Sequence, residues 1–411
     1  MNKRKNPYIL LTLLFIIVLI FFGLSFKYPN ILSPSIKAPE VEPAKETIIK
    51  PTASPKPTDA VITISAVGDA MAHESQLIHD YNDDPDIYDF YPVFEKIAPT
   101  LQKADFAIVN LETTISGDEF PYTGYPDFNT PISFVDALKK SGIALASLAN
   151  NHTLDMGAVG AKNTFENLKS MGMDYTGLSL NKDQYYDYYI KDIKGIKTAV
   201  IAYSWRTSIV NNYNEKDYIL RFWDDIEGIE ADIKNVKDLG ADVVVMSVHW
   251  GTEYRRSYTK EQRKLAETYI ALGADVILGS HPHVVEPIER ISVKLENGET
   301  REGVVAYSMG NFISNMKARY NNTGIVVNIA IRKTPEGEII LEPVTYVPTL
   351  INSNRIYNIE ASDHVILPAG KYINDKNLFE SLTEDEQEKI TFAYNDLAEL
   401  IDIEYAAPLN E

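Results

Sequence analysis

At 411 residues, 45% hydrophobic and 24% charged, the chain has the composition of a folded globular protein, long enough for one large domain with appendages or two ordinary domains. A net charge of −19, from 58 Asp and Glu against 39 Lys and Arg, excludes a general nucleic-acid binder, which needs a basic surface to displace counterions from phosphates. With no cysteine, disulfides, iron–sulfur clusters, zinc fingers and thiol nucleophiles are excluded, and any metal must be held by His, Asp, Glu and Asn.

Lys3, Arg4 and Lys5 precede an apolar run from Tyr8 to Phe26. Such a run matches the roughly 30 Å hydrocarbon core of a bilayer. No small-x-small cleavage site closes it, so it reads as an uncleaved signal-anchor over residues 7–27. The basic residues before it place residues 1–6 in the cytoplasm and everything after it outside, as a single-pass protein of the cell membrane. Residues 28–60 are rich in Pro, Ser, Thr, Lys and Glu and predict an extended extracytoplasmic linker.

From residue 61 to 347 apolar runs alternate with amphipathic segments. Val61–Val67, Phe106–Val109, Ala144–Leu148, Val243–Val248 and Val276–Leu278 predict buried strands. Ser133–Lys140, Ala158–Met171 and Lys260–Leu272 predict helices between them, the signature of an α/β domain with parallel strands. Three hairpins add antiparallel strands: Tyr185–Ile193 with Lys197–Tyr203, Ile291–Leu295 with Gly303–Tyr307, and Ile325–Arg332 with Glu338–Tyr346. The mixture predicts two packed sheets. Residues 348–411 read as an extension, irregular at first and ending in a helix around Glu384–Ile401.

The chemistry collects where the strands stop. Asp69 ends the first, with His73 four residues on; Asn110-Leu111-Glu112 ends the second; Asn150-Asn151-His152 follows the third; His249 ends the fourth; His281-Pro282-His283 follows the last. Carboxyl ends of parallel strands share one rim, where ligands bind. Five of the seven histidines thus converge with carboxylates and amides, a donor set suited to borderline divalent ions, and a bridging carboxylate allows two of them. His79 and His364 join no such group and read as surface residues. Arg255, Arg256, Lys260, Arg263 and Lys264 read as a solvated helix face, with attraction of an anionic chain as the alternative.

The strings Ala66-Val67-Gly68-Asp69, Asn110-Leu111-Glu112-Thr113, Ser147-Leu148-Ala149-Asn150-Asn151-His152, Val248-His249-Trp250-Gly251-Thr252-Glu253-Tyr254, Gly279-Ser280-His281-Pro282-His283 and Ser308-Met309-Gly310-Asn311-Phe312 resemble the CapA/PgsA poly-γ-glutamate capsule synthesis family, a branch of the calcineurin-like metallophosphoesterases. Tyr125-Pro126-Asp127-Phe128-Asn129 adds to the likeness. The resemblance implies a calcineurin-like sandwich of two mixed β-sheets flanked by helices, preceded here by the transmembrane helix. It implies one divalent ion on Asp69, His73 and His283 and a second on Asn151, His249 and His281, with Glu112 bridging; manganese, iron and zinc are the candidates. His152 would be the general acid, completing a catalytic set with Asp69 and Glu112. First motif and bridge depart from the phosphoesterase pattern: His73 follows Asp69 by four residues rather than two, and Glu112 stands where Asp is usual. Asp155 follows His152 by three residues rather than directly.

The implied role is a membrane-anchored component of poly-γ-glutamate biosynthesis and export. Its partners would be the plasma membrane, the poly-γ-glutamate synthetase membrane complex, and an anionic polymer or phosphoester substrate. A stand-alone metal-dependent hydrolase of an envelope polymer, and a non-catalytic polymer- or partner-binding scaffold, are the alternatives.

Overall fold

The computed structural model describes residues 58–82, 87–205, 220–355 and 362–409. The expected cytoplasmic segment, the 7–27 span and all but the last residues of the 28–60 linker lie outside them. Among the described residues no helix is long and apolar enough to cross a membrane.

Sixteen strands are used here. They are β1 (Ala60–Ala70), β2 (Phe106–Leu111), β3 (Leu145–Ser147), β4 (Asp174–Thr176), β5 (Tyr189–Ile193), β6 (Ile196–Tyr203), β7 (Val243–His249), β8 (Val276–Ser280), β9 (Ile288–Lys294), β10 (Thr300–Ala306), β11 (Asn311–Ile313), β12 (Thr323–Lys333), β13 (Ile339–Leu341), β14 (Val344–Arg355), β15 (Ser362–Pro368) and β16 (Ala406–Pro408). The main helices are α1 (Glu74–Asp80), α2 (Ser133–Ser141), α3 (Gly157–Ser170), α4 (Ile226–Asp238), α5 (Lys260–Leu272) and α6 (Glu384–Leu400).

The first sheet runs β15-β14-β12-β1-β2-β3-β4, with β11, β13 and β16 attached beside it; the second runs β9-β10-β8-β7-β6-β5. Parallel pairing joins β1 to β4 through β2 and β3, and β6 to β10 through β7 and β8. Hairpin partners supply the antiparallel members at the sheet edges.

Both sheets are mixed, as expected, and they pack face to face. Ile62, Ile64 and Ala66 of β1 and Ile108 of β2 meet Val243, Val245, Val276 and Leu278 of the second sheet in one apolar core. A cross-sheet hydrogen bond from Ser247 Oγ to Ser147 Oγ (3.0 Å) ties β7 to β3 within that interior. The opposite face of the first sheet is covered by α2 and α3, with Phe134, Leu138 and Leu168 buried. The outer face of the second is covered by α4 and α5 through Ile229, Ile233, Ala266 and Ile270.

Parallel strands buried on both faces read as unbroken apolar runs, which is why β7 and β8 were legible. The second strand of the first hairpin begins where expected, and Lys194 and Gly195 make its turn with φ of 50° and 90°. The first strand begins at Tyr189 rather than Tyr185, because Gln184–Tyr186 form a single 3₁₀ turn.

Two expectations fail. The stretch after Pro348 is not irregular: β14 runs across the expected boundary at 347 to Arg355 and pairs with β15. Proline reads as a strand breaker. Here Pro348 lies between the stretch of β14 that pairs with β16 (residues 344–346) and the stretch that pairs with β15 (from Thr349), so on that edge its missing N–H forfeits no ladder bond. His364 is not a surface residue either. Its place on β15 buries it to 2% exposure, with Nε2 3.1 Å from Asn315 Oδ1.

Close backbone approach fixes the rim. The β1–β2 register slips between Val67 and Asp69, leaving Gly68 as the extra residue and turning Asp69 into the interior. A Cβ on Gly68 would lie 1.9 Å from Gly310 O, whose carbonyl also accepts from Asp69 N at 3.0 Å. We expect Gly68→Ala to destabilise the fold by more than about 2 kcal/mol, read as a loss of several degrees in Tm, because the clash is with backbone.

At the start of α5 a capping box pairs Thr259 with Gln262, and Gln262 Nε2 donates to the buried Glu286 Oε2 at 2.8 Å. Burial pushes the Glu286 carboxyl up to about 7, against the opposing hydrogen bond from Gln262 and the charge of Arg255. An acid whose folded pKa lies above its unfolded one holds a proton in the native state that the unfolded state has lost. Stability therefore falls as pH rises from about 4.5 to about 7. Glu286→Gln should flatten the Tm–pH curve across that window, removing a loss of up to roughly 3 kcal/mol.

Candidate metal centre

The carboxyl ends of both sets of parallel strands open on one rim. Asp69 closes β1, Glu112 follows β2, and Asn151 and His152 follow β3. From the facing sheet come His249 at the end of β7 and His281 and His283 after β8. Neither sheet alone carries the constellation.

Two groups of buried side chains stand close enough to share an ion: Asp69, Glu112 and His283, and Glu112, His249 and His281. Glu112 is common to both. Its Oε1 lies 3.6 Å from His249 Nε2 and 4.0 Å from His283 Nε2, and it has no hydrogen-bond partner among the described residues. His281 Nδ1 is a second buried atom without a partner. Buried polar atoms in proteins are as a rule hydrogen-bonded, and an unpartnered carboxylate oxygen shared by two such groups is what an ion would satisfy.

The electrostatics agree. Burial, together with repulsion from Asp69, pushes the Glu112 carboxyl well above the usual range. Burial acts upward on Asp69 too, but hydrogen bonds and charge from His283 and a hydrogen bond from Asn110 hold it below the usual range. Burial lowers His281 to about 4 and His249 well below its ordinary value, with neighbouring imidazoles adding to both. Burial acts downward on His283 as well, but the hydrogen bond and charge of Asp69 raise it, so the two buried carboxylates share their site with two imidazoles kept neutral and one that favours positive charge.

Three amides not singled out from the sequence hold these ligands. Asn110 Nδ2 donates to Asp69 Oδ1 (2.8 Å) and lies 3.4 Å from Glu112 Oε2 and from His249 Nδ1. Asn150 Nδ2 donates to Leu111 O (2.8 Å) beneath it. His283 Nδ1 sits 3.0 Å from Asn311 Oδ1 and 3.1 Å from Asp69 Oδ2, so its Nδ1–H is engaged and Nε2 is left toward Glu112. The sequence signals for these amides were the family-like strings that contain all three and, for Asn110 and Asn150, a place at or just past a strand end.

Asn151 stands beside the second group, its Oδ1 2.7 Å from His249 Nε2. His152 stands back from both, with Nδ1 2.7 Å from Asp155 Oδ2, which also accepts from Phe128 N at 2.7 Å. Three residues of separation therefore do not prevent the Asp155 carboxylate from orienting the imidazole. His73, expected in the first ion's ligand set, belongs to neither group. Burial and the nearby imidazoles lower it to about 4.

In front of the centre lies an open cleft of about 830 Å³, whose wall includes His73, His152, His283, Trp205 and Tyr254. Its described lining contains carboxylates but no Lys or Arg. Of the basic residues after His249, Arg263 pairs with Glu267 and Glu289, Arg256 stacks on Tyr320 and donates to Asp396 O, and the exposed Arg255 donates from Nε to Ser257 Oγ.

The profile of the family described as bacterial capsule synthesis protein PGA_cap matches residues 63–316. The chain belongs to that family. Every residue of both ligand groups falls inside the PGA_cap match. The chain is 25% identical over 311 residues to the capsule biosynthesis protein CapA of Bacillus anthracis, covering 72% of each chain. It is 25% identical over 262 residues to the PGA biosynthesis protein CapA of Bacillus subtilis, covering 61% of this chain and 64% of that one. Among solved structures, a calcineurin-like phosphoesterase from Bacillus subtilis aligns at 14% identity and a TM-score of 0.42, covering 82% of this chain and 99% of the other.

His281 and His283 adopt φ of 101° and 55°, flanking Pro282. Non-glycine residues held there cost on the order of 1–3 kcal/mol each. We expect His281→Gly to leave the metal-free protein as stable as the parent or more so, measured as Tm in chelator, while giving a smaller metal-dependent rise in Tm than the parent.

Proposed function

We propose that the chain is a membrane-anchored component of poly-γ-glutamate capsule biosynthesis and export that carries a two-ion centre outside the membrane. The single observation that carries the centre is Glu112, buried between two ligand groups with Oε1 unpartnered. Asp69 and His283 would hold one ion, His249, His281 and Asn151 the other, and Glu112 both. Membership of the PGA_cap family and the names of the two CapA relatives support the capsule role. The basic–apolar pattern of residues 3–26 supports the anchor.

When bound, a pair of divalent ions supplies Lewis acidity and an acidified water. The chain's own residues do the rest. Asn110 and Asn311 hold the ligands in register. Asp155 accepts from His152 Nδ1 and leaves Nε2 toward the cleft, where a protonated imidazole can give its proton to a leaving oxygen. With no Lys or Arg among the described residues of the cleft wall, the ions themselves would be the source of attraction for an anionic substrate. The His152–Asp155 pair also favours a second reading, in which the same centre works as a free-standing hydrolase of an envelope polymer.

The test is metal content of the full-length chain in detergent, alongside complementation of a strain lacking it. About two divalent ions per chain are expected, with both lost in Glu112→Ala and one in His249→Ala. Exported poly-γ-glutamate should disappear in the deletion strain and return with the parent gene but not with Glu112→Ala. Normal export without the gene would sink the capsule role. A metal-free, folded parent would sink the two-ion centre.

A further inference from the structure

His73 is the N-cap of α1 and is gripped on three sides. Its own N–H donates to the buried Gln76 Oε1 at 2.8 Å. The ring meets the Phe128 ring edge-on, with centroids 5.1 Å apart. The backbone N–H of Asn315 donates to His73 Nδ1 at 3.2 Å.

That last bond decides the chemistry of the ring. A nitrogen that accepts an N–H carries a lone pair there and no proton, so the imidazole proton must sit on Nε2. To bind an ion through Nε2 the ring would need its proton on Nδ1, pointing head-on at the Asn315 N–H. A side-chain amide facing a histidine, such as Asn110 beside His249, can turn over and offer its oxygen instead. A backbone N–H cannot. His73 lines the cleft beside His152 and His283.

Across the same Phe128 ring lies His152, also edge-on, with centroids 4.8 Å apart. There the carboxylate of Asp155 accepts from Nδ1, which leaves the lone pair on Nε2. The two imidazoles beside Phe128 are thus held differently, His73 accepting a backbone N–H at Nδ1 and His152 donating from Nδ1 to a carboxylate.

We propose that His73 is a fixed hydrogen-bond donor to an anionic oxygen of the bound ligand, from a phosphoryl or carboxyl group, and is not a metal ligand. This rests on the reading of the neighbouring groups as an ion site: the ions draw the anion, and His73 Nε2–H takes one of its oxygens without adding charge. Beside a described cleft wall without Lys or Arg, a neutral donor also discriminates by geometry rather than by net charge.

The experiment uses the full-length chain in detergent, zinc-loaded, with ¹⁵N-labelled histidine. His73 should give the Nε2-protonated tautomer with and without zinc. His73→Ala should keep the parent's ion count but bind inorganic phosphate or a γ-glutamyl dipeptide, titrated separately, about tenfold more weakly. The probe that weakens identifies the group recognised, and His73→Gln, which restores an N–H donor, should recover part of the loss. Loss of one ion in His73→Ala, an Nδ1-protonated ring, or unchanged affinity for both probes overturns the proposal. Should the parent carry no ion, the two-ion reading falls by itself, and the tautomer of the unsubstituted chain still decides for or against His73 as donor.

Discussion

Two carboxylates, Asp69 and Glu112, are buried without residual exposure where the rims of two sheets meet. Side by side in a low-dielectric interior they cannot both ionise unless positive charge lies between them. Much of the surrounding architecture answers to that constraint. Asn110 offers its amide to both carboxylates. His281 and His283 accept strained backbone so that their rings reach inward. Gly68 gives up a side chain so that the backbone of Asp69 can hydrogen-bond to Gly310.

The centre is split between the sheets. Asp69, Glu112 and Asn151 ride on β1, β2 and β3, whereas His249, His281 and His283 ride on β7 and β8. Ligand spacing is therefore set by how the two sheets pack, through the apolar core of Ile64, Ile108, Val245 and Leu278 and the Ser147–Ser247 bond. Close-packed cores transmit small shifts rather than absorbing them. A mutation deep between the sheets can therefore alter the centre without touching a ligand.

Charge on the molecule is arranged in the same sense. The chain carries a large negative excess, and the described cleft wall adds carboxylates rather than lysines or arginines. Arg256 and Arg263, which follow His249 in the sequence, are spent on the α6 segment and on Glu267 and Glu289, where they stitch the fold together.

Much of this was legible in the sequence because parallel strands are apolar throughout and stop abruptly at polar residues. Each run ending in Asp69, Glu112, His249 or His283 announced both a strand and a rim position, and the hairpin turn at Lys194-Gly195 declared itself by residue type. Failures came where a residue's setting depends on distant chain. Pro348 looked like a strand end, yet it occupies a gap between two pairing partners that only the sheet defines. His364 looked solitary until β15 buried it beside Asn315. Spacing placed His73 near Asp69, but nothing local to it reveals that the N–H of Asn315, 242 residues further on, fixes its tautomer. The sequence by itself determined which residue types stand at the strand ends, since that follows from local periodicity. Only the tertiary structure decided which of them face one another and which nitrogen each imidazole presents, since both depend on hydrogen bonds made across the fold.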